Sequence, residues 1–444
     1  MDAPRHRFAQ IDPNPWVVVL IACLVQLPLV AAPGYFSHDE LQWAVRAETL
    51  GHVPWWDDRT TFQFRPLTFN LWMALSRALF EHPHAFHALL VAWGAGNAGL
   101  LCAAGRRTGM PAWLAAIGAL GFVLTPYAVY VHGWIATIAD LIWVTCALVL
   151  ANIVLRVPRP PSIAAAAFVI TAIALLGKEA AAAIPVACAV AWWFDRDRRA
   201  RWAAALIGSG VATLAFVLWR MPALLHAPRD GGSLYQPSLA NVPLRWAEYQ
   251  LFTPIVPLFE AHTTFLRLAP AVMTAVLWCF LFAALWEGNR RRAWLFVAGG
   301  AALLSPVLVL GMSANHYGYA YAALLAMCVA AAWPAATRRG RIVIAAFAVL
   351  TVLHGFAVMG RVLEVARVQS VFSPALARAI AAQPGDAPVR LRIGKNAKPW
   401  IFQRLTHEIP AYDGVPIGDR VHLVEPVAQA DYEIEPDGTL LPLR

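Results

Sequence analysis

Long apolar runs separated by short polar clusters make up most of the chain. The runs predict about eleven membrane helices, at residues 16–32, 84–104, 112–131, 135–155, 162–176, 180–194, 202–221, 265–286, 293–311, 317–335 and 342–358. Several fall short of the roughly 20 residues that cross a bilayer core. The two that flank Lys178 read equally as two short helices or one interrupted one.

Three segments between or after these runs are long. The first, 33–83, carries most of the charged residues of interest. Its later part, Leu67 to Phe80, reads as a helix lying along the membrane surface. The second, 222–264, is rich in Pro, Gly and aromatic residues and holds one short amphipathic helix around Leu244–Phe252. The third is the tail. Ser373 to Ala382 is expected to be helical, with Ser373-Pro374 as its start signal. Val389–Ile393 alternates like a strand. Asp431–Leu440 reads as a strand pair around the turn Pro436-Asp437-Gly438. The expected fold class is an all-α polytopic membrane protein with a small C-terminal α+β extracytoplasmic domain. Its division is a cytoplasmic N-terminus at 1–15, a transmembrane domain at 16–358 and the extracytoplasmic domain at 359–444.

Composition sharpens this. The chain is 59% hydrophobic and only 14% charged, more apolar surface than a soluble domain can hide. Its net charge of +9 does not mark a nucleic-acid binder, because the basic residues form short clusters between apolar runs. Alternate connections, from Arg5 and Arg7 to Arg338, Arg339 and Arg341, hold sixteen basic residues; the short connections opposite hold one, Lys178. Positive residues stay inside. The N-terminus is therefore expected in the cytoplasm and, after eleven crossings, the tail outside, in a bacterial inner membrane. The first run is read as an uncleaved anchor, since Pro33 follows Val30-Ala31-Ala32 directly and no long polar domain comes next. All six cysteines lie within apolar runs, so no disulfide framework or thiolate metal site is implied.

Chemistry centres on His38-Asp39-Glu40, just outside the first run. A carboxylate there could take a proton from an acceptor hydroxyl; equally, the pair could be solvated charges on a loop helix capped by Ser37. Arg65, held extended before Pro66, could grip a phosphate with parallel hydrogen bonds or meet lipid headgroups. Lys178-Glu179 is costly at membrane depth unless it faces a wet cavity, or else forms an ordinary outward turn. Asp140 is expected to face the protein interior. His316 could contact phosphate or sugar, while Tyr317, Tyr319 and Tyr321 fit an interfacial aromatic belt. His82, His84 and His87 lack a carboxylate at ligand spacing. No metal site and no cofactor is assigned, although the adjacent carboxylates Asp57-Asp58 could hold a divalent cation.

These residues, in this order, resemble the GT-C superfamily of polytopic glycosyltransferases, in particular the protein O-mannosyltransferases, the tetratricopeptide-containing transmembrane mannosyltransferases and their bacterial relatives. Asp39-Glu40 matches the family's acidic pair at the start of the first outward loop. Phe64-Arg65-Pro66-Leu67 matches its aromatic-Arg-Pro-Leu element, and Trp134 with Asp140 its Trp-containing helix start. Gly177-Lys178-Glu179 stands for a Ser-Lys-Glu element, and His316-Tyr317-Gly318-Tyr319 for Arg-Tyr-x-Tyr. The match covers roughly 16–335. It departs at Ile138 and His316, where relatives carry Arg, and no tetratricopeptide repeats follow. The resemblance implies a polyprenyl-phosphate-sugar donor and a glycan, lipid or protein acceptor, with no nucleic acid involved. It implies Asp39 as base with Glu40 beside it, and His38, Arg65, Asp140, Lys178, Glu179, His316 and Tyr317 as substrate contacts. A transporter or flippase of a lipid-linked or anionic substrate is the rival class; the inverted repeats and broken mid-membrane helices typical of transporters are not evident, and the key charges cluster on one side.

Overall fold

The computed structural model describes residues 14–56, 63–225, 237–255, 268–385 and 387–443. Each expected apolar run is helical where it is described. The chain begins with α1 (Pro15–Val25) and α2 (Leu27–Val30), divided at Gln26. Two helices outside the long runs follow, α3 (His38–Thr49) and α4 (Pro66–Leu79). Next come α5 (Pro83–Arg107), α6 (Ala112–Val123), α7 (Pro126–Gly133), α8 (Ile138–Arg156), α9 (Pro160–Gly177), α10 (Ala183–Phe194) and α11 (Arg199–Leu225). The second half holds α12 (Val242–Ile255), α13 (Leu268–Gly288), α14 (Arg290–Leu308), α15 (Tyr319–Ala332), α16 (Arg338–Ala381) and the short α17 (Pro399–Thr406). Proline at the first or second position starts many of these, where its missing N–H costs nothing.

Among the described residues, six helices are long and apolar enough to cross a membrane, or seven if α6 and α7, bent by 61° at Thr125, form one span. Full-length crossings among the described residues thus number six or seven, against the eleven expected. The reasons are local. Gln26 interrupts the first run, Pro126 bends the third, α15 has only 14 residues, and α14 opens on three arginines.

The surface identifies the surroundings. On α11, Ile207, Val211, Leu214 and Leu218 are exposed at helical spacing; on α16, Ile342, Val349, Leu353 and Phe356 are. Such stripes are liabilities in water and are the natural lipid face of a membrane helix. Polar side chains go inward instead. Gln26 donates from Nε2 to the Val123 carbonyl at 2.6 Å and accepts at Oε1 from His132 Nδ1 at 2.8 Å. The His132 Nε2 then accepts from the Tyr319 hydroxyl at 2.8 Å. The polar break in α1 is thereby tied to α7 and α15. This is an integral membrane protein.

Helix α16 corrects one expectation. It does not restart at Ser373-Pro374 but runs unbroken for 44 residues through Pro374, roughly 66 Å at 1.5 Å per residue. It therefore passes beyond any bilayer core and continues across the expected boundary at 359. Val365, Val368, Phe372, Leu376 and Ile380, buried in its last turns, keep the helix intact against the loss of one N–H.

Beyond it, β1 (Val389–Ile393), β2 (Ala411–Tyr412), β3 (Val415–Pro416), β4 (Val421–Val424), β5 (Tyr432–Ile434) and β6 (Leu440–Pro442) complete the chain. The main sheet has the order β4-β1-β5-β6, with β1 parallel to both neighbours and β5–β6 an antiparallel hairpin. Helix α17 connects β1 toward this sheet. Its Ile401, Phe402 and Leu405 are buried, with Phe402 edge-on to Phe372 of α16 at 5.1 Å. The tail is thus carried on the end of α16.

At the bend between α6 and α7, Gly355 of α16 lies so close that a Cβ would come within 1.9 Å of the Leu124 carbonyl oxygen. Backbone cannot yield as a side chain can. Gly355→Ala should lower stability by about 1–3 kcal/mol, read as a reduced unfolding temperature in detergent. Gly360→Ala, with open space at its Cβ, should be neutral; equal loss from both would refute this packing.

Candidate active site

The site starts where the first apolar helices end. Gly34 is pinned by His87, whose Nε2 donates to the Gly34 carbonyl at 2.9 Å, and the Tyr35 N–H donates to Gln369 Oε1 of α16 at 2.9 Å. Ser37 caps α3, its hydroxyl accepting from the Asp39 N–H at 3.4 Å and donating to Asp39 Oδ2 at 3.0 Å. Asp39 and Glu40 then occupy successive positions of the first helical turn, which suits carboxylates, and successive positions face different ways. Asp39 is about one-third exposed. Glu40 is 1% exposed.

That division gives the two carboxyls different chemistry. Glu40 Oε1 accepts from the Ile135 N–H at 3.2 Å, while Oε2 is buried without a partner among the described residues. Burial, reinforced by the negative charge of Asp39, pushes the Glu40 pKa to about 8, so it is largely a neutral acid near pH 7. His38 lies with Nε2 3.6 Å from Asp39 Oδ1, and burial holds its imidazole pKa below the ordinary value against the pull of Asp39.

A second group of charges lies where α4, α8 and α9 meet. Helix α9 stops at Gly177, whose carbonyl accepts from Thr68 Oγ1 of α4 at 2.7 Å. Lys178 is extended, with φ −161° and ψ 136°, so Lys178 and Glu179 diverge. The Lys178 ammonium pairs with Asp140 Oδ2 at 2.5 Å, both groups buried, and lies 4.6 Å from the centre of the Tyr317 ring. Asp140, in the first turn of α8, also accepts from Trp143 Nε1 at 3.1 Å. Glu179 Oε2 accepts from Arg65 Nε at 2.7 Å. Among the described residues the two terminal nitrogens of Arg65 have no hydrogen-bond partner.

Aromatic rings connect the two groups. Tyr317 meets His316 at 4.3 Å, and His316 meets Trp134 edge-on at 5.3 Å. Over Trp134 lies a residue of the tail, Arg404 of α17. Its guanidinium is 4.9 Å from the Trp134 ring and 4.5 Å from that of Phe36, and its Nε donates to the Phe36 carbonyl at 3.1 Å. Asp39 and Glu40 both act on it electrostatically. The turn carrying His316 is braced from α12, where Glu248 pairs with Arg245 at 2.7 Å and accepts from Ser313 at 2.7 Å.

The structure thus brings Arg65, Asp140, Lys178, Glu179, His316 and Tyr317 into one continuous cluster, with Asp39 and Glu40 at its far end and Trp134 between. One alternative is excluded: Glu40 is not a solvated capping charge, because the fold buries it against the start of the segment before α8. Lys178 and Arg65 each hold a carboxylate, Asp140 and Glu179. Asp57-Asp58 lie outside the described residues. His84 and His87 bond to the backbone carbonyls of Val30 and Gly34, which accounts for both without a ligand. The residue missed was Arg404. In the sequence it is one basic residue of a short helix, and only a tertiary contact over 368 positions reveals its place.

Two measurements probe this arrangement. Asp140→Asn should destabilise by roughly 3–5 kcal/mol, because it leaves a buried ammonium without its counter-charge; the double change Asp140→Leu with Lys178→Met should recover much of that stability. For Glu40, the folded state keeps a proton that the unfolded chain releases above its ordinary value near 4.5. Stability should therefore fall as pH rises from about 4.5 to about 8 and level off beyond. Glu40→Gln should flatten that part of the profile in detergent-solubilised protein, and an unchanged slope would contradict the buried neutral carboxyl.

No family model matches the chain, and no curated protein does. Among solved structures, ArnT from Cupriavidus metallidurans, bound to undecaprenyl phosphate, is 14% identical with a TM-score of 0.51, over 88% of this chain and 84% of that one. The Archaeoglobus fulgidus oligosaccharyltransferase tethered with an acceptor peptide is 13% identical, TM-score 0.45, over 86% of this chain and 61% of its own. The Archaeoglobus fulgidus AglB in complex with an inhibitory peptide and a dolichol-phosphate is 14% identical, TM-score 0.47, over 88% and 63%. This chain thus spans about three fifths of the archaeal chains. At such identity the likeness to ArnT is one of fold alone: the chain shares the ArnT fold.

Proposed function

We propose that this protein is a membrane glycosyltransferase that moves a sugar from a polyprenyl-phosphate carrier to an acceptor on the outer face of the bacterial inner membrane. The observation that carries the reading is the single cluster joining a part-exposed carboxylate, Asp39, to the two basic residues Arg65 and Lys178, in a chain with the ArnT fold. Orientation follows from the positive-inside pattern. Contact between α3 and the tail, through Gln42 Nε2 donating to the Glu408 carbonyl at 2.9 Å, requires an even number of crossings between them. That fits the expectation that both face outward.

In this reading Asp39 is the general base. It takes the proton of the acceptor hydroxyl as the acceptor oxygen bonds to the sugar's anomeric carbon. The bond from that carbon to the phosphate oxygen breaks on the opposite face, and the polyprenyl phosphate leaves with the electron pair. The leaving group gains negative charge as it departs. The terminal nitrogens of Arg65 and the ammonium of Lys178 are the donors available to it, and hydrogen bonds to a developing charge are those that lower a barrier. Glu40, buried and bonded to the Ile135 N–H, keeps α3 seated there and leaves the part-exposed Asp39 to meet the acceptor.

The test is transfer of labelled sugar from polyprenyl-phosphate sugars extracted from a deletion strain, with protein levels matched. Asp39→Asn should reduce turnover roughly 10²–10⁴-fold with donor binding retained, and Glu40→Gln should cost much less. Arg65→Ala or Lys178→Ala should raise the half-saturating donor concentration roughly 10- to 100-fold. Near-normal turnover by Asp39→Asn would remove Asp39 from the mechanism. Movement of intact lipid-linked sugar across liposomes without transfer would replace the enzyme by a flippase.

A further inference from the structure

We infer that Arg404, contributed by the tail, is an acceptor contact, and that the acceptor carries an anionic group close to the hydroxyl that receives the sugar. The inference rests on the glycosyltransferase reading and specifies one side of its site.

Charge pairing within the cluster carries the argument. Lys178 is matched by Asp140, and Arg65 by Glu179. Among the described residues no carboxylate lies within ion-pair distance of Arg404. Among the described residues its hydrogen bond runs from Nε to the Phe36 carbonyl and fixes the guanidinium without using its terminal nitrogens. The rings of Phe36 and Trp134 hold it by cation–π contact, an arrangement that favours Arg over Lys. A guanidinium clamped through Nε and its faces presents two parallel N–H donors, which suit a carboxylate or phosphate.

Its position selects the substrate. Transfer with a base opposite the leaving group puts acceptor and phosphate on different sides of the anomeric carbon. Arg404 is grouped with Asp39 and Glu40 and is separated from Lys178 by Trp134, His316 and Tyr317. It is therefore on the base's side, with the acceptor. Asp39 acts on Arg404 electrostatically yet stands farther from it than a direct ion pair, so a ligand lying between them would meet the first with its hydroxyl and the second with its anionic oxygens.

The experiment uses the full-length protein in nanodiscs with labelled polyprenyl-phosphate sugars. The acceptor source is the envelope extract of a deletion strain, separated by anion exchange into neutral and anionic pools. Wild-type protein should move label into the anionic pool. Arg404→Gln should raise the half-saturating concentration of that pool roughly 10- to 100-fold and leave donor saturation unchanged, whereas Arg65→Ala should do the reverse. Arg404→Lys, which keeps the charge and loses the fork, should fall between and serves if the Gln variant does not fold. Label entering only the neutral pool overturns the inference. So does an Arg404 variant that alters donor saturation, lowers only the maximal rate or has no effect. No transfer by the wild-type protein into either pool overturns the glycosyltransferase reading itself.

Discussion

The buried pair of Lys178 and Asp140 is the interaction on which the arrangement of helices and site both depend. An ammonium and a carboxylate inside a membrane domain are tolerated only together, so the end of α9 and the start of α8 have to meet. Their meeting fixes the rest. Because Lys178 is extended rather than helical, its neighbour Glu179 points away from Asp140 and reaches Arg65 at the start of α4. Two adjacent residues thereby clamp two different helices. Thr68, one turn into α4, closes the junction by bonding to the carbonyl of Gly177.

The same pair explains how far the sequence could be read. Charged residues in apolar surroundings stand out, and Asp140, Lys178, Glu179 and Arg65 were visible as a set for that reason. Helix positions were visible because lipid demands long apolar runs. The number of complete crossings was not, because hydropathy does not show that Gln26 is held by Val123 and His132, or that α6 and α7 part at a bend of 61°. The long α16 was misread at Ser373-Pro374 because a start signal is local, whereas the helix there is kept by packing of Phe372, Leu376 and Ile380. Arg404 was illegible for a plainer reason: nothing near it in the chain differs from any short amphipathic helix, and its significance lies wholly in Phe36 and Trp134.

Asp39 and Glu40 show the limit in its sharpest form. Adjacent acidic residues are chemically alike in a sequence, yet about 100° of helical rotation per residue puts one toward open space and the other against the Ile135 N–H. The structure leaves one carboxyl about one-third exposed and buries the other. Sequence can supply the pair; only the orientation of α3, set by Ser37 and by the anchoring of Gly34 and Tyr35, separates their surroundings.

Prior pairing of the cations also bears on the proposed reaction. A bare cationic pocket at membrane depth would destabilise the empty protein and would hold a product phosphate as firmly as it held the donor. With Asp140 and Glu179 in place, the net field of the cluster is small, and a phosphodiester with one negative charge meets a balanced site. In the proposed reaction the phosphate charge would grow as the bond to the sugar breaks, and the hydrogen bonds of Arg65 and Lys178 that already hold the donor would strengthen further. The part of that stabilisation gained only in the transition state raises turnover, whereas equal grip on donor and product would only slow release. In that proposal Asp140 and Glu179 would make the basic residues responsive to the reaction itself.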